Sequence, residues 1–325
     1  MLLFDPPAST LRPRRRANRR PLAPVARLPG LTFRDVPAGV VKAALARVPR
    51  RTSVSLLDVR LARSVSDASR KLDDAGAKSL LRAAERLSPE ELVFVLPHEI
   101  VFKPGPPVSI VMPGFRRATS IELDTGFLHV KPPHAGGELP ALERLSLSGN
   151  ILDIGAFLDL CPRLRLLRVT FPMDFAPEME KLPAANFTVL ELHLNAMGHV
   201  LGGLLRHLLM MHHIQTATRR LKVFLWDWSR AKCLETCPCD EPKNWRSQSI
   251  SLAHLEEVEI NNFRGGNREM DLLTMALRWA PRLKTMTIKL AEETDLQRCA
   301  TKIYNICLAY PFVNCSVYNR SGGLV

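Results

Sequence analysis

No stretch of the chain reaches the ~18 uninterrupted apolar residues that a membrane span requires. The nearest candidate, Val200 to Met211, is cut by Arg206 and His207, so no membrane association is expected. The opening residues, MLLFDPP, place Asp5 and two prolines where a secretory leader needs a basic start and an apolar run. Cysteine is present in an odd number, seven, scattered over 325 residues, which does not make a disulfide framework and suits a reducing compartment. Cytoplasm or nucleus is the expected location. Also missing are G-x-S-x-G, a Walker loop and G-x-G-x-x-G, the short patterns that build a nucleophile elbow or cradle phosphate. An enzyme is therefore not expected.

The net charge of +13 suggests a nucleic-acid binder until it is located along the chain. Residues 1–52 hold twelve Arg or Lys against Asp5 and Asp35, a balance of +10 that leaves only +3 for everything after them. A broad phosphate-binding face needs its cations spread over the docking surface, and here they sit in one arm, RPRRRANRR from Arg12 to Arg20. Residues 1–30 read as a disordered Arg/Pro-rich arm. Nucleic acid is expected to meet this chain through that arm or not at all, and a nuclear or nucleic-acid-associated protein tethered by it is the alternative reading.

What is abundant is leucine in a repeating pattern. In LPALERLSLSGN, the residues Leu142, Leu145, Leu147 and Asn150 fit L-x-x-L-x-L-x-x-N, the template of a leucine-rich repeat. Gly155 to Cys161 reads as a short helix or turn that Pro162 stops before the next strand, Leu164–Leu167–Val169. Aligning Ala118–Ile121–Leu123, the two triplets above and Phe187–Leu190–Leu192 gives marker spacings of 24, 22 and 23 residues. Leu221–Phe224–Trp226, Leu255–Val258–Ile260 and Leu283–Met286–Ile288 continue the series at 34, 34 and 28. Cys161-Pro162-Arg163-Leu164 and Ala280-Pro281-Arg282-Leu283 occupy the same helix-to-strand corner. Helices are also expected over Val36 to Ala46, Ala75 to Leu87, His199 to about Gln215 and Arg268 to Trp279, with strands over Val54 to Val59, Leu92 to Leu96 and Asn314 to Tyr318.

One coil cannot bury both of its faces, so the coils must stack. The predicted fold class is α/β, a horseshoe-like leucine-rich-repeat solenoid of irregular repeats over 31–251, continued by further repeats and a cap over 252–325. Its parallel sheet would turn the residues between the inward leucines onto one concave surface. Those candidates for partner binding are Arg144, Ser146, Ser148, Arg168, Glu191, His193, Asp227, Glu257, Glu259, Asn261, Thr285, Thr287 and Lys289. Their mixed signs suit a protein partner better than a nucleic acid.

Other constellations read as structural. Cys233, Cys237 and Cys239 have a C-x₃-C-x-C spacing unlike a zinc knuckle, with no second pair after it. Cys161, Cys299, Cys307 and Cys315 fall at apolar positions and read as small core residues. His212 and His213 are expected to end a helix, where a cation complements its dipole. The pairs Glu90–Glu91, Glu256–Glu257 and Glu292–Glu293 read as solvated carboxylates, and Gly265–Gly266 as turn glycines. No cofactor, metal or catalytic residue is expected.

The segments LPALERLSLSGN, CPRLRLLRVTFP, CPCDEPKNWRSQSISLAHLEEVEINNFRG, DLLTMALRWAPRLKTMTIKL and CSVYNRSGG resemble plant F-box/leucine-rich-repeat proteins with a C-terminal FBD domain. The resemblance runs from about Phe33 to the end, with residues 252–318 similar to the FBD region. It implies that the repeats select a protein substrate for a cullin–RING ubiquitin ligase, whose adaptor binds an N-terminal F-box. This chain offers only Leu28-Pro29 and no helical trio behind it, so an F-box is not recognisable and adaptor binding is not expected. The resemblance then implies a recognition half on its own or a truncated relative without activity.

Overall fold

The structure is a computed structural model. It describes residues 26–49, 52–62, 74–96, 109–126, 129–133, 137–149, 154–171, 187–195, 205–206, 209–210, 212–226, 247, 250–292 and 294–325. Eleven strands form one open sheet: β1 Ala26–Val36, β2 Thr52–Leu61, β3 Glu91–Val95, β5 Ser120–Asp124, β7 Arg144–Ser148, β8 Leu166–Phe171, β9 Val189–Asn195, β10 Arg220–Trp226, β11 Glu257–Phe263, β12 Thr285–Leu290 and β13 Asn314–Tyr318. They lie side by side in chain order and every pairing is parallel. A parallel neighbour can only be reached by a crossover, and the described crossovers carry short helices or irregular segments on one side of the sheet.

Six helices are described: α1 Ala38–Arg47, α2 Asp74–Arg86, α3 Ile154–Asp159, α4 His212–Ala217, α5 Asn267–Trp279 and α6 Leu296–Cys307. Each longer helix packs an apolar stripe against the sheet. In α2 the buried residues Ala77, Leu80, Leu81 and Ala84 recur at the three- and four-residue spacing of one helix face. In α5, Leu273, Leu277 and Trp279 are buried, and in α6 the buried set is Cys299, Ala300, Ile303 and Cys307. The inward residues of the strands join the helices in one core cluster. Strand period two does the sorting: Leu145 and Leu147 of β7 are buried while Arg144, Ser146 and Ser148 point the other way.

The coil period is visible in the main chain. A ladder of amide-to-carbonyl bonds just ahead of the strands joins Thr119 to Glu90, Glu143 to Thr119, Arg165 to Glu143, Thr188 to Arg165, Arg219 to Thr188, Glu256 to Arg219, Lys284 to Glu256 and Asn314 to Lys284, each at 2.8–3.0 Å. The corresponding steps from Glu90 are 29, 24, 22, 23, 31, 37, 28 and 30 residues. Coil length therefore varies on the helix side while the strand side keeps register, because only the strand side is tied by a continuous ladder.

The structure corrects β10. Its burial alternates so that Leu221, Val223 and Leu225 face the core, and Phe224 and Trp226 face out, Trp226 being 40% exposed. Leu221 pairs with Leu190 and with Val258, so the residue that opens this coil is Thr218, buried at 3% exposure, and not Leu221. The pattern L-x-x-L-x-L fits both settings, and a polar residue at the first position hides the right one. β1 begins at Ala26, ahead of Leu31, and a small second sheet of β4 Ser109–Val111 and β6 His129–Lys131 occupies the helix side with Ile110 and Val130 buried. His212 and His213 open α4, where a helix end was expected.

Both sheet edges are managed. Pro29 lies in edge strand β1, where the lost donor is harmless. At the other edge the tail returns antiparallel, bridging Tyr318 to Leu324, with the Val325 amide donating to the Val317 carbonyl at 2.9 Å.

Candidate functional site

Parallel register places the outward side chains in three rows across the sheet. One runs Arg144, Leu166, Val189, Arg220, Glu257, Thr285. The second runs Ser146, Arg168, Glu191, Lys222, Glu259, Thr287, and the third Ser148, Thr170, His193, Phe224, Asn261, Lys289. Twelve of the thirteen residues expected on this surface thus stand in these rows; Asp227 lies outside the described residues. Lys222, Phe224, Trp226 and Tyr318 belong to the same face and were missed. Phe224 and Trp226 were missed because the register was misassigned, and Tyr318 because β13 was read as a cap rather than as a further row.

Adjacent strands are stitched by charge. Arg168 Nε lies 3.0 Å from Glu191 Oε1, Arg168 Nη2 donates to Oε2 at 3.2 Å, and His193 Nε2 meets Oε1 at 3.0 Å. Burial raises the Glu191 carboxyl, but hydrogen bonds from His193 and Arg168 outweigh it and hold the group below its ordinary range. His193 in turn stacks on Phe224, ring centroids 4.4 Å apart at 18°. Glu259 repeats the arrangement one strand pair further on, taking Lys222 at 3.1 Å and Lys289 at 2.7 Å. Its carboxyl is raised by burial and lowered more strongly by the two ammonium groups. Arg220 pairs with Glu257 at 2.5 Å, and Arg144 reaches Glu91 at 3.4 Å.

At the other end of the sheet Asp58, a β2 residue with a side chain only 4% exposed, is gripped by Arg34 at 3.0 Å and Arg60 at 3.0 Å. Glu90 takes Arg27 and Arg117, each at 2.7 Å, and Glu256 takes Lys284 at 2.9 Å. Glu90, Glu91, Glu256 and Glu257 are thus ion-pair partners.

The remaining candidates are placed as follows. Cys161 is buried, its thiol donates to the Phe157 carbonyl at 3.0 Å, and burial pushes its pKa up to about 12, so it is a packing residue. Cys299 and Cys307 are buried and Cys315 half-buried, all as free thiols. Gly265 has φ +78°, and a Cβ there would lie 2.6 Å from Cys299 Sγ. Cys233, Cys237, Cys239, the Arg12 to Arg20 arm, Asn150 and Glu293 lie outside the described residues. Among the described residues no group of three or more His, Cys, Asp or Glu is placed to hold a metal ion, and no helix is long and apolar enough to cross a membrane.

The fold and this face define a mixed α/β protein with a large, open, all-parallel sheet whose face opposite the described helices carries polar and aromatic rows. Within it, residues 251–288 match the model of the family described as FBD. That segment contains β11, α5 and the first part of β12, and so supplies Glu257, Glu259, Asn261, Thr285 and Thr287 to the rows. No curated protein matches the chain.

Proposed function

We propose that the chain is a leucine-rich-repeat solenoid that works as a protein-interaction module, with the face of the sheet opposite the described helices as its docking surface. The observation that carries this is the registered rows of outward side chains, unbroken from β7 to β12, with both signs of charge interleaved. A face of this kind offers many hydrogen-bonding and charged groups at a fixed spacing of ~4.8 Å between strands, which suits an extended protein surface. Binding rather than catalysis is the activity. The FBD match, a domain of F-box protein families, supports a role like that of the substrate-recognition half of a plant F-box protein. Selection of substrates for a ubiquitin ligase is then the biological setting, in the cytoplasm or nucleus, with the adaptor contacted by another chain.

Lysine-directed cross-linking of the full chain, added to plant-cell extract and read by mass spectrometry, tests the reading. Partner cross-links should concentrate on Lys222 and Lys289 of the outward rows rather than on Lys42 and Lys78 of α1 and α2. A map dominated by the helices would overturn the docking face. Direct recovery of the ligase adaptor would show that this chain binds it itself.

A further inference from the structure

The last coil carries two thiols set against each other. α6 buries Cys299, Ala300, Ile303 and Cys307 along one face, so Cys307 closes the stripe that this helix turns towards the sheet. In β13, Cys315 pairs with Met286 of β12, which in turn pairs with Val258 of β11. Strand period two puts Cys315 in that inward row, on the helix side of the sheet.

The connection between them is a tight turn over residues 308–313. The Tyr310 amide donates to the Cys307 carbonyl at 2.8 Å and the Val313 amide to the Tyr310 carbonyl at 3.0 Å. The chain is thereby returned so that the Cys307 thiol hydrogen-bonds to the Cys315 sulfur. That bond holds the Cys315 thiol below its ordinary range and, together with burial, holds Cys307 above it. Exposure differs in the same sense, Cys307 being buried and Cys315 half-buried. A small oxidant entering from solvent meets the Cys315 thiolate first, with Cys307 behind it.

We propose that Cys307 and Cys315 form a reversible disulfide, driven by a peroxide, that clamps β13 to α6. The Cys315 thiolate attacks one oxygen of hydrogen peroxide and the O–O bond breaks. Hydroxide leaves, takes up the proton that Cys315 had released, and a sulfenic acid remains on Cys315. The Cys307 sulfur then attacks the Cys315 sulfur, and its proton departs with the displaced hydroxyl as water. Two thiols and one peroxide thus become one disulfide and two waters.

The clamp acts at the edge of the sheet. β12 pairs with β13 on one side and the returning tail bridges it on the other. β13 runs on into Asn319 to Gly322, one wall of a cleft of about 870 Å³ at the C-terminal ends of β10 to β13. Terminal elements open more readily than central ones, and a covalent tie to α6 restricts that opening.

The test is peptide mapping of the full chain after treatment with hydrogen peroxide. Trypsin cuts after Arg298, Lys302 and Arg320, so one peptide, residues 303–320, holds both sulfurs and another, residues 299–302, holds Cys299. On alkylation in denaturant, peptide 303–320 should have lost two hydrogens and take no alkyl group, while Cys299 is still alkylated. Prior treatment with dithiothreitol should restore both sites. Amides of β13 should exchange with deuterium about tenfold more slowly in the oxidised chain, and Cys315→Ser should abolish that difference. Because Cys315 is half-buried, this variant keeps the test valid if Cys307→Ser fails to fold. A doubly alkylated peptide, a bond from either sulfur to another cysteine, or a disulfide that leaves β13 exchange unchanged would overturn the clamp.

Discussion

The stretch from β5 to β8 and the stretch from β9 to β13 bury the same kind of residue and display different ones. On the core side, Leu145, Leu147, Leu167 and Val169 in the first region match Leu190, Leu192, Val258 and Ile260 in the second. On the open side, the first shows Ser120, Ser146, Ser148 and Thr170 beside the charged Glu122, Asp124, Arg144 and Arg168, while the second adds the rings of His193, Phe224 and Tyr318 to its charged Glu191, Lys222, Glu259 and Lys289. Coil steps differ in parallel, 22 to 24 residues in the first region against 28 to 37 from Thr188 onward. Inward positions must fill a fixed space between sheet and helices, so they converge on Leu, Val and Ile. Outward positions answer to no such packing, and they are free to diverge.

Breaking the shared half of this comparison should have the largest effect. Leu145→Ala removes a fully buried side chain from the short-coil region, and Leu190→Ala does the same in the long-coil region. Each should cost about 2–5 kcal/mol in denaturant unfolding, the range for core leucine truncations. Equal losses mean one continuous core; a negligible loss at either site would split the two regions. Gly149→Ala should follow at about 1–3 kcal/mol, since Gly149 ends β7 at φ +98° and a Cβ there would lie 2.5 Å from Thr125 Oγ1. Thermal melting would detect it.

Thr218→Val sharpens the comparison from the opposite side. Its buried hydroxyl Oγ1 has no partner among the described residues, at a position where Phe187 and Leu255 serve the neighbouring coils. Valine keeps the shape and removes the unpaired group, so a gain of about 1 kcal/mol is expected in the same unfolding assay. A loss would mean the hydroxyl is bonded after all.

The pH dependence belongs to the second region. Because the Glu191 and Glu259 carboxyls are held below their ordinary range in the folded chain, their stabilisation is fully present above the unfolded carboxylate pKa and is lost as pH falls through the lower folded values. Glu191→Gln should therefore flatten the acid limb of a melting-versus-pH profile while altering the neutral region less. Ser146→Ala, in the short-coil region, should change stability by no more than about 0.5 kcal/mol at any pH. A steep acid limb that survives Glu191→Gln would move the effect to other carboxylates.

Leu145, Leu147, Leu167 and Leu190 were legible in the sequence because strand period and coil period coincide there. The twelve outward candidates followed from the same alternation. Trp226 and Phe224 were not legible: a shift of register in β10 reverses which side chains face the core, and the polar Thr218 at the head of that coil removed the cue that sets it. Neither was the Lys222–Glu259–Lys289 cluster, whose members are 37 and 30 residues apart and meet only through register.

By itself the sequence determined the alternation of strand and crossover, the parallel order of the strands and the identity of most core residues, because hydrophobic periodicity is a local property that burial must satisfy. Only the tertiary structure decided which outward groups become neighbours and which end of the sheet opens into a cleft. Those depend on how residues of successive coils align, and coil lengths running from 22 to 37 residues carry no local signal of that alignment.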